Sequence, residues 1–180
     1  MSLVKELEKL ASAAGKYGLP FILTGGHAVI AYGFLRSTFD LDLIIRREDK
    51  AKWSELAKEN GYEFLRDGPA FVQFVAKNAD SFPLDLMLVN EDTFAKMQAD
   101  TVTVADLPGI PVVSLMHLLA LKCHAIKHGH SGKIVKDADD VIRLVQVNRL
   151  DPDSPLLRQL FLKHGTEEFY EKVRTACLTD

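Results

Sequence analysis

The sequence predicts an α+β fold, in which a mixed sheet flanked by helices is followed by a C-terminal helical region. Two observations predict this fold. Up to residue 112, short apolar segments of strand character alternate with amphipathic helical segments. From residue 113 onward the strand signals stop and the pattern is helical to the end. We therefore expect an α/β core over residues 1–112 and a helical region over residues 113–180 that packs on it as one compact unit.

The composition sets ordinary limits on function. A net charge of −3 is not typical of a general nucleic-acid binder, although it leaves room for a local basic face. Cys123 and Cys177 are far apart and form no C-x-x-C motif, which indicates reduced thiols in a cytoplasmic protein. No apolar run is long enough to span a membrane and no signal-like start is present, so we expect no membrane partner.

The elements of the core follow from periodicity and from their end signals. A stripe of Leu3, Leu7, Leu10 and Ala14 predicts an amphipathic first helix. The predicted helices are residues 3–16, 27–35, 49–60 with Asp49 as the N-cap, and 90–99. The predicted strands are residues 21–23, 39–45, 62–66, 70–76, 82–89 and 101–104. The proline-containing segment 107–111 is expected to be a connection.

The C-terminal region is predicted as four helices. The first spans residues 114–128 with Ser114 as its cap, and the second spans residues 132–148. Asp151-Pro152 is expected to open the third helix, since proline is tolerated in a first turn. Thr166 is expected to start the last one. The sequence indicates no chemistry beyond residue 149.

Two aspartates interrupt the apolar strand predicted over residues 39–45. Alternate strand residues point to opposite faces, so Asp40 and Asp42 are expected on the same face. Two carboxylates among apolar neighbours are costly unless a cation neutralises them. Convergent carboxylates without a basic partner on the strand are typical of a site for a hard metal ion, most naturally Mg²⁺.

A third aspartate, Asp85, is isolated in the apolar strand predicted over residues 82–89. Leu84, Leu86 and Leu88 share one face of this strand, and Asp85 lies on the other. The alternative is an acid at a strand end that pairs with a surface lysine. The three apolar residues that follow Asp85 favour a position inside the strand.

The sequence also resembles a known family. Gly25-Gly26, thirteen intervening residues and DLDL at residues 40–43 resemble the signature of the nucleotidyltransferase superfamily of the DNA polymerase β type. Arg36 and Thr38, in the pattern R-x-T-x-D-x-D, resemble the AbiEii/AbiGii-like toxin branch or a related minimal nucleotidyltransferase. A glycine pair or a D-x-D motif alone often occurs by chance. Their order and spacing carry the resemblance, which covers residues 19–144.

The resemblance implies a nucleotidyltransferase core and a Mg²⁺-dependent transfer of NMP from an NTP to an acceptor hydroxyl. In this family two ions are expected, with Mn²⁺ as an alternative. Asp40 and Asp42 would hold ions that bridge the triphosphate. Asp85 matches the family's third carboxylate, which would ligate the second ion and help to deprotonate the acceptor.

The same resemblance implies a set of phosphate contacts. Gly25 and Gly26 would let backbone amides approach phosphate oxygens. Thr38 or Ser37 would donate to the same phosphates. Arg36 would either do so as well or hold the loop in place.

A second cluster of candidate residues lies in the helical region, where no acidic residue occurs from Ser114 to Lys136. This local cationic face suits a polyphosphate or a tRNA backbone, and a solvated helix face is the plain alternative. The resemblance implies that Lys122 binds the triphosphate and that Asp137, together with Lys136, lines the cleft. Simple i,i+4 ion pairs along the helix would explain Lys136 equally well.

The histidines raise a zinc hypothesis that the spacing does not favour. Cys123, His124, His128 and His130 lie within eight residues, but adjacent residues diverge by about 100° on a helix. Closed zinc sites usually gather their ligands from two segments. We expect solvated histidines at a helix end, and we expect His27 to serve local chemistry at a helix start.

The acceptor is left open among three classes. The AbiEii-like branch suggests a toxin that modifies tRNA or another cellular acceptor and has an antitoxin partner. The small size is also similar to antibiotic nucleotidyltransferases, which act on aminoglycosides or lincosamides. A nucleotide-binding protein without turnover is the third class, and the presence of all three acids argues against it.

Overall fold

The computed structural model describes residues 3–78, 81–129 and 131–178. It divides into two compact units. The first comprises Met1–Ala28 and Arg36–Ser114, and the second comprises Val29–Leu35 and Leu115–Asp180. The second unit therefore includes a short segment from the N-terminal half of the chain as well as the C-terminal helices.

The first unit contains a mixed seven-stranded sheet in the order β3-β4-β5-β2-β1-β7-β6. Its strands are β1 (Ile22–Leu23), β2 (Leu41–Arg46), β3 (Tyr62–Gly68), β4 (Phe71–Ala76), β5 (Leu84–Val89), β6 (Val102–Val104) and β7 (Leu107–Val112). The β2–β5 and β1–β7 pairs are parallel, and the other pairs are antiparallel. The predicted α+β class with a mixed sheet is confirmed.

The strand β7 corrects one expectation, since residues 107–111 were predicted to be a connection. Leu107, Ile110 and Val112 are buried, so the gain from burying them outweighs the prolines. Pro108 and Pro111 stand at positions without a register partner, where a missing N–H group costs no ladder hydrogen bond.

The helices of the first unit surround the sheet. They are α1 (Leu3–Lys16), α2 (Gly25–Ala31, which continues into the second unit), a single 3-10 turn (Arg47–Asp49), α3 (Lys50–Glu59) and α4 (Glu91–Ala99). The predicted bounds of α1 are confirmed. Asp49 does not cap α3 with its side chain. Its carboxylate instead accepts a hydrogen bond from Arg46 Nε at 2.6 Å and makes no capping bond to the amides of α3.

The second unit is built from α5 (Leu115–His128), α6 (Ser131–Val147), α7 (Pro155–His164) and α8 (Glu167–Leu178). Helix α7 begins later than predicted, because the Ser154 side chain caps it by accepting from the Leu157 amide. The Phe161 ring packs on Phe169 and Tyr170 in its core. Among the described residues, no helix combines the length and the apolar character that a bilayer crossing requires.

Candidate active site

Thr24, Gly25 and Gly26 lead from β1 into the first turn of α2, and this glycine turn lies directly against two other segments. The Thr24 amide donates to the Asp42 carbonyl at 3.0 Å, which ties the turn to β2. Gly25 has a φ of +63°, and a Cβ atom there would stand 1.8 Å from Asp42 Oδ2. A Cβ atom at Gly26 would stand 2.3 Å from Thr38 Oγ1. Both glycines are therefore required by close packing, and Gly25 also by its backbone conformation.

Three carboxylates lie beside this turn. Asp42 on β2 and Asp85 on β5 are direct register partners in a parallel pair, and Asp40 precedes β2 by one residue. One potential ligand oxygen from each of the three lies within 4.8 Å of the others. All three side chains are half-buried. The strand was predicted to include Asp40 but begins at Leu41, so the β2–β5 register brings Asp42 and Asp85 together, and Asp40 joins them from the preceding loop.

Neighbouring side chains donate hydrogen bonds to two of these acids. Thr38 Oγ1 donates to Asp40 Oδ1 at 2.9 Å. Gln73 Nε2, on β4, donates to Asp85 Oδ2 at 2.6 Å. Bonds of this kind fix the orientation of a carboxylate.

Gln73 was not predicted as a site residue from the sequence. Its signal was present as the one polar residue in the apolar strand FVQFVA. Its meaning depends on the register, which places Gln73 opposite Asp85. A sequence without pairing information does not give that register.

The residues predicted to contact phosphate occupy the loop that leads into β2. Arg36 Nη1 donates to the Ser37 carbonyl at 2.9 Å. The same atom lies 3.0 Å from the position that a Cβ atom would take on Gly26. The guanidinium of Arg36 therefore lies over the glycine turn, while Thr38 supports Asp40. Their contact with phosphate stays a prediction.

His27 is the first buried polar residue after the glycine pair. It is 7% exposed, and its Nε2 atom has no hydrogen-bond partner among the residues that the structure describes. Its ring packs edge-on against Phe82, with the centroids 5.6 Å apart. Burial lowers the pKa of His27, the Asp40 charge opposes this change, and Arg36 adds to it. His27 is therefore neutral near pH 7.

A cleft of about 480 Å³ is lined by residues that neighbour the aspartates along the chain and on the adjacent strand β4. Phe39, which directly precedes Asp40, and Pro83, which directly precedes β5, both line it. Phe39 is 77% exposed. The rest of the lining consists of Val75, Ala76, Asn78, Ser81 and Phe82.

In the second unit, the structure brings Lys122 together with Asp137 and Asp140. Lys122 Nζ lies 2.7 Å from a carboxylate oxygen of each. The Asp140 side chain is fully buried and the Lys122 side chain is 8% exposed. Lys136 is exposed on the same helix. These contacts give Lys122 a structural role that links α5 to α6, and its role in binding triphosphate stays a prediction, as do those of Lys136 and Asp137.

The histidine cluster shows no metal geometry among the described residues. The rings of His124 and His128 lie 4.5 Å apart at a tilt, and Cys123 is a buried free thiol. His130, the fourth member of the zinc hypothesis, lies outside the described residues. Within residues 3–78, 81–129 and 131–178, the aspartates 40, 42 and 85 are the one group of three or more His, Cys, Asp or Glu placed to hold an ion.

Solved structures share this architecture. An antigenic nucleotidyltransferase-like protein from Paracoccidioides brasiliensis is 16% identical, with a TM-score of 0.59 over 98% of this chain and 92% of that one. The antibiotic-resistance factor ANT(2″)-Ia, in complex with adenylyl-2″-tobramycin, is 17% identical, with a TM-score of 0.54 over 99% and 98%. The lincosamide antibiotic adenylyltransferase LnuA is 20% identical, with a TM-score of 0.52 over 79% and 96%.

The sequence comparisons add no family of their own. No protein-family model matches the sequence, and no curated protein matches it. The similarity to solved structures shows the nucleotidyltransferase fold, and with it the fold that the glycine pair and the D-x-D motif predicted.

Proposed function

We propose that this protein is a metal-dependent nucleotidyltransferase that transfers NMP from an NTP to an acceptor hydroxyl. The observation that carries the proposal is the meeting of Asp40, Asp42 and Asp85 within 4.8 Å of one another. The glycine turn packed against Asp42 supports it, because it brings backbone amides next to the acids. The fold shared with nucleotidyltransferases agrees with this chemistry.

The donor set fits a hard divalent cation. Three carboxylates offer only oxygen ligands and a concentrated negative charge, which suits Mg²⁺, with Mn²⁺ as an alternative, better than zinc. Asp40 and Asp42 would hold one ion and Asp85 would complete the site for a second. When bound, such ions neutralise charge on the triphosphate and activate the acceptor hydroxyl.

The residues of the chain then have distinct roles in the transfer. The acceptor oxygen forms a bond to the α-phosphorus while the bond from that phosphorus to pyrophosphate breaks. Asp85 takes the hydroxyl proton on its carboxylate. Arg36, Ser37 and the amides of Gly25 and Gly26 would hold the departing phosphates, since they line the loop and the turn beside the acids. Thr38 keeps Asp40 in position.

A small hydroxyl-bearing molecule is the acceptor that the observations favour. The structures of ANT(2″)-Ia with adenylyl-2″-tobramycin and of LnuA align with this chain over 98% and 96% of their own length, which supports an acceptor of this kind. The cleft beside Asp40 has room for part of such a molecule. An RNA acceptor in a toxin–antitoxin setting is the second candidate, based on the basic stretch around Lys122. It is weakened because Asp137 and Asp140 neutralise Lys122.

One transfer assay tests the proposal. The protein is incubated with Mg²⁺ and each α-labelled NTP, in turn with aminoglycosides, lincosamides and total tRNA. Asp40→Asn/Asp42→Asn should abolish transfer, and EDTA should do the same. The exposed Asp106 provides a matched control, since Asp106→Asn removes a charge away from the site.

The product identifies the acceptor class. Label on a small molecule supports the first candidate, and label on tRNA supports the second. If the folded wild-type protein bound nucleotide but transferred none, it would be a nucleotide-binding protein and not an enzyme. Transfer that survives loss of both aspartates would refute the proposed site.

A further inference from the structure

Four polar side chains form one row across four strands of the sheet. The register pairs Arg66 on β3 with Gln73 on β4, Gln73 with Asp85 on β5, and Asp85 with Asp42 on β2. Hydrogen bonds connect three of them. Arg66 Nε donates to Gln73 Oε1, and Gln73 Nε2 donates to Asp85 Oδ2 at 2.6 Å. The row leads from an exposed arginine to the carboxylate cluster.

The two ends of the row determine which way the Gln73 amide points. The Arg66 guanidinium can only donate, so it selects the amide oxygen of Gln73. The Asp85 carboxylate, when ionised, can only accept, so it selects the amide nitrogen. A flipped amide would set oxygen against carboxylate and NH₂ against guanidinium, which would remove both bonds. Arg66 is itself held over the Phe71 ring, 5.7 Å from its centroid.

The position of Gln73 has a direct consequence for Asp85. A carboxylate has two oxygens with about four lone-pair sites, so one bond from Gln73 leaves capacity for a cation. The bond restricts rotation of the carboxylate. Such second contacts to metal-binding side chains typically change metal affinity or activity by about 10- to 100-fold.

We propose that Gln73, oriented by Arg66, is a positioning residue that fixes the Asp85 carboxylate for cation binding and for proton transfer. The inference rests on the function proposed above. It adds two residues of the β3–β4 hairpin, neither of which touches the reacting atoms, to the machinery of the site.

Binding of Mn²⁺ to the full-length protein tests this without knowledge of the acceptor. Gln73→Leu keeps the size of the side chain and removes the donor, so Mn²⁺ affinity should fall about 10- to 100-fold. Gln98→Leu, on the exposed face of α4, is the matched control and should keep wild-type affinity.

A second pair of variants separates positioning from folding. Arg66 is exposed, so Arg66→Met should leave the melting temperature nearly unchanged while it weakens Mn²⁺ binding by freeing the amide to flip. Arg66→Lys retains a donor and should restore part of the affinity.

The outcomes distinguish this inference from the proposed function. If Gln73→Leu and Arg66→Met both bind Mn²⁺ with wild-type affinity, the role of Gln73 is overturned and the proposed function is left intact. Failure of the wild-type protein to bind Mn²⁺ through its intact aspartates would overturn both.

Discussion

The Asp42 carboxylate occupies the space that a side chain at Gly25 would need. An added Cβ atom would stand 1.8 Å from Asp42 Oδ2, 2.3 Å from Cγ and 2.6 Å from the Asp42 Cβ atom. The contact involves the whole acid group, so rotation of one terminal atom cannot relieve it. The glycine turn and the central acid of the cluster are therefore a single packing arrangement.

Gly25→Ala is expected to abolish transfer and to weaken Mn²⁺ binding at least tenfold, because Asp42 must move to admit the methyl group. Gly18 provides the control, since its φ of +60° resembles the +63° of Gly25 and nothing lies within 4 Å of its added Cβ atom. Gly18→Ala should cost only backbone strain, on the order of 1 kcal/mol, with activity retained. Equal activity of the two variants, measured by transfer and by Mn²⁺ titration, would contradict this account.

Lys122→Met is expected to destabilise the protein by about 3–5 kcal/mol, because it leaves the buried Asp140 without its cation. Urea denaturation measures this change. The control is Lys136→Met, which alters an exposed lysine on α6 and should change the free energy of unfolding by less than about 0.5 kcal/mol. If Lys122→Met left the free energy of unfolding unchanged but raised the KM for NTP, Lys122 would instead be a nucleotide ligand.

His27 should make the protein less stable in mild acid. Burial lowers its pKa in the folded state below 6.5, so the unfolded chain takes up a proton before the folded one does. The contribution is present above pH 6.5 and is lost as the pH falls below it, with a slope of at most about 1.4 kcal/mol per pH unit.

Denaturation at a series of pH values from 7.5 to 5 measures this slope. His27→Gln should make the dependence shallower, and His164, whose pKa is also lowered mainly by burial, should account for part of what remains. A His27→Gln variant with the wild-type slope would show that His27 takes up its proton equally in both states.

The two cysteines should react at very different rates. Cys123 is fully buried, and burial raises the pKa of its thiol to about 12, so little thiolate forms at pH 8. Cys177 is partly exposed. A thiol reagent such as DTNB should label wild-type protein at one site and Cys177→Ser protein only after denaturant is added. Rapid labelling of native Cys177→Ser would show that α5 opens readily.

The location of the acids could be predicted from the sequence because it depends on short-range geometry. Strand alternation predicted Asp40 and Asp42 on one face, although β2 begins only at Leu41, and an isolated acid in an apolar strand marked Asp85. The same reasoning predicted α1 with its observed bounds. The narrower assignment to the AbiEii-like branch stays a prediction, because the solved structures named above show only the fold.

Features that depend on pairing between distant segments could not be predicted in this way. Gln73 gains its partner through the strand register, which also shifts between Phe64 and Arg66 on β3. Lys122 was interpreted from its local charge, whereas two acids on the next helix determine its environment. The strand β7 was missed because its prolines outweighed its buried apolar residues in the local pattern.

Because β2 pairs in parallel with β5, the three carboxylates can come together only after a long stretch of chain between these strands has been synthesised. Two parallel neighbours need a crossover, and here that crossover carries α3 and the whole β3–β4 hairpin. A ribosome-bound chain that ends within the hairpin already contains Asp40 and Asp42 but not Asp85. A polypeptide interrupted before β5 would therefore lack Asp85, and the cluster of three carboxylates would form only once β5 pairs with β2.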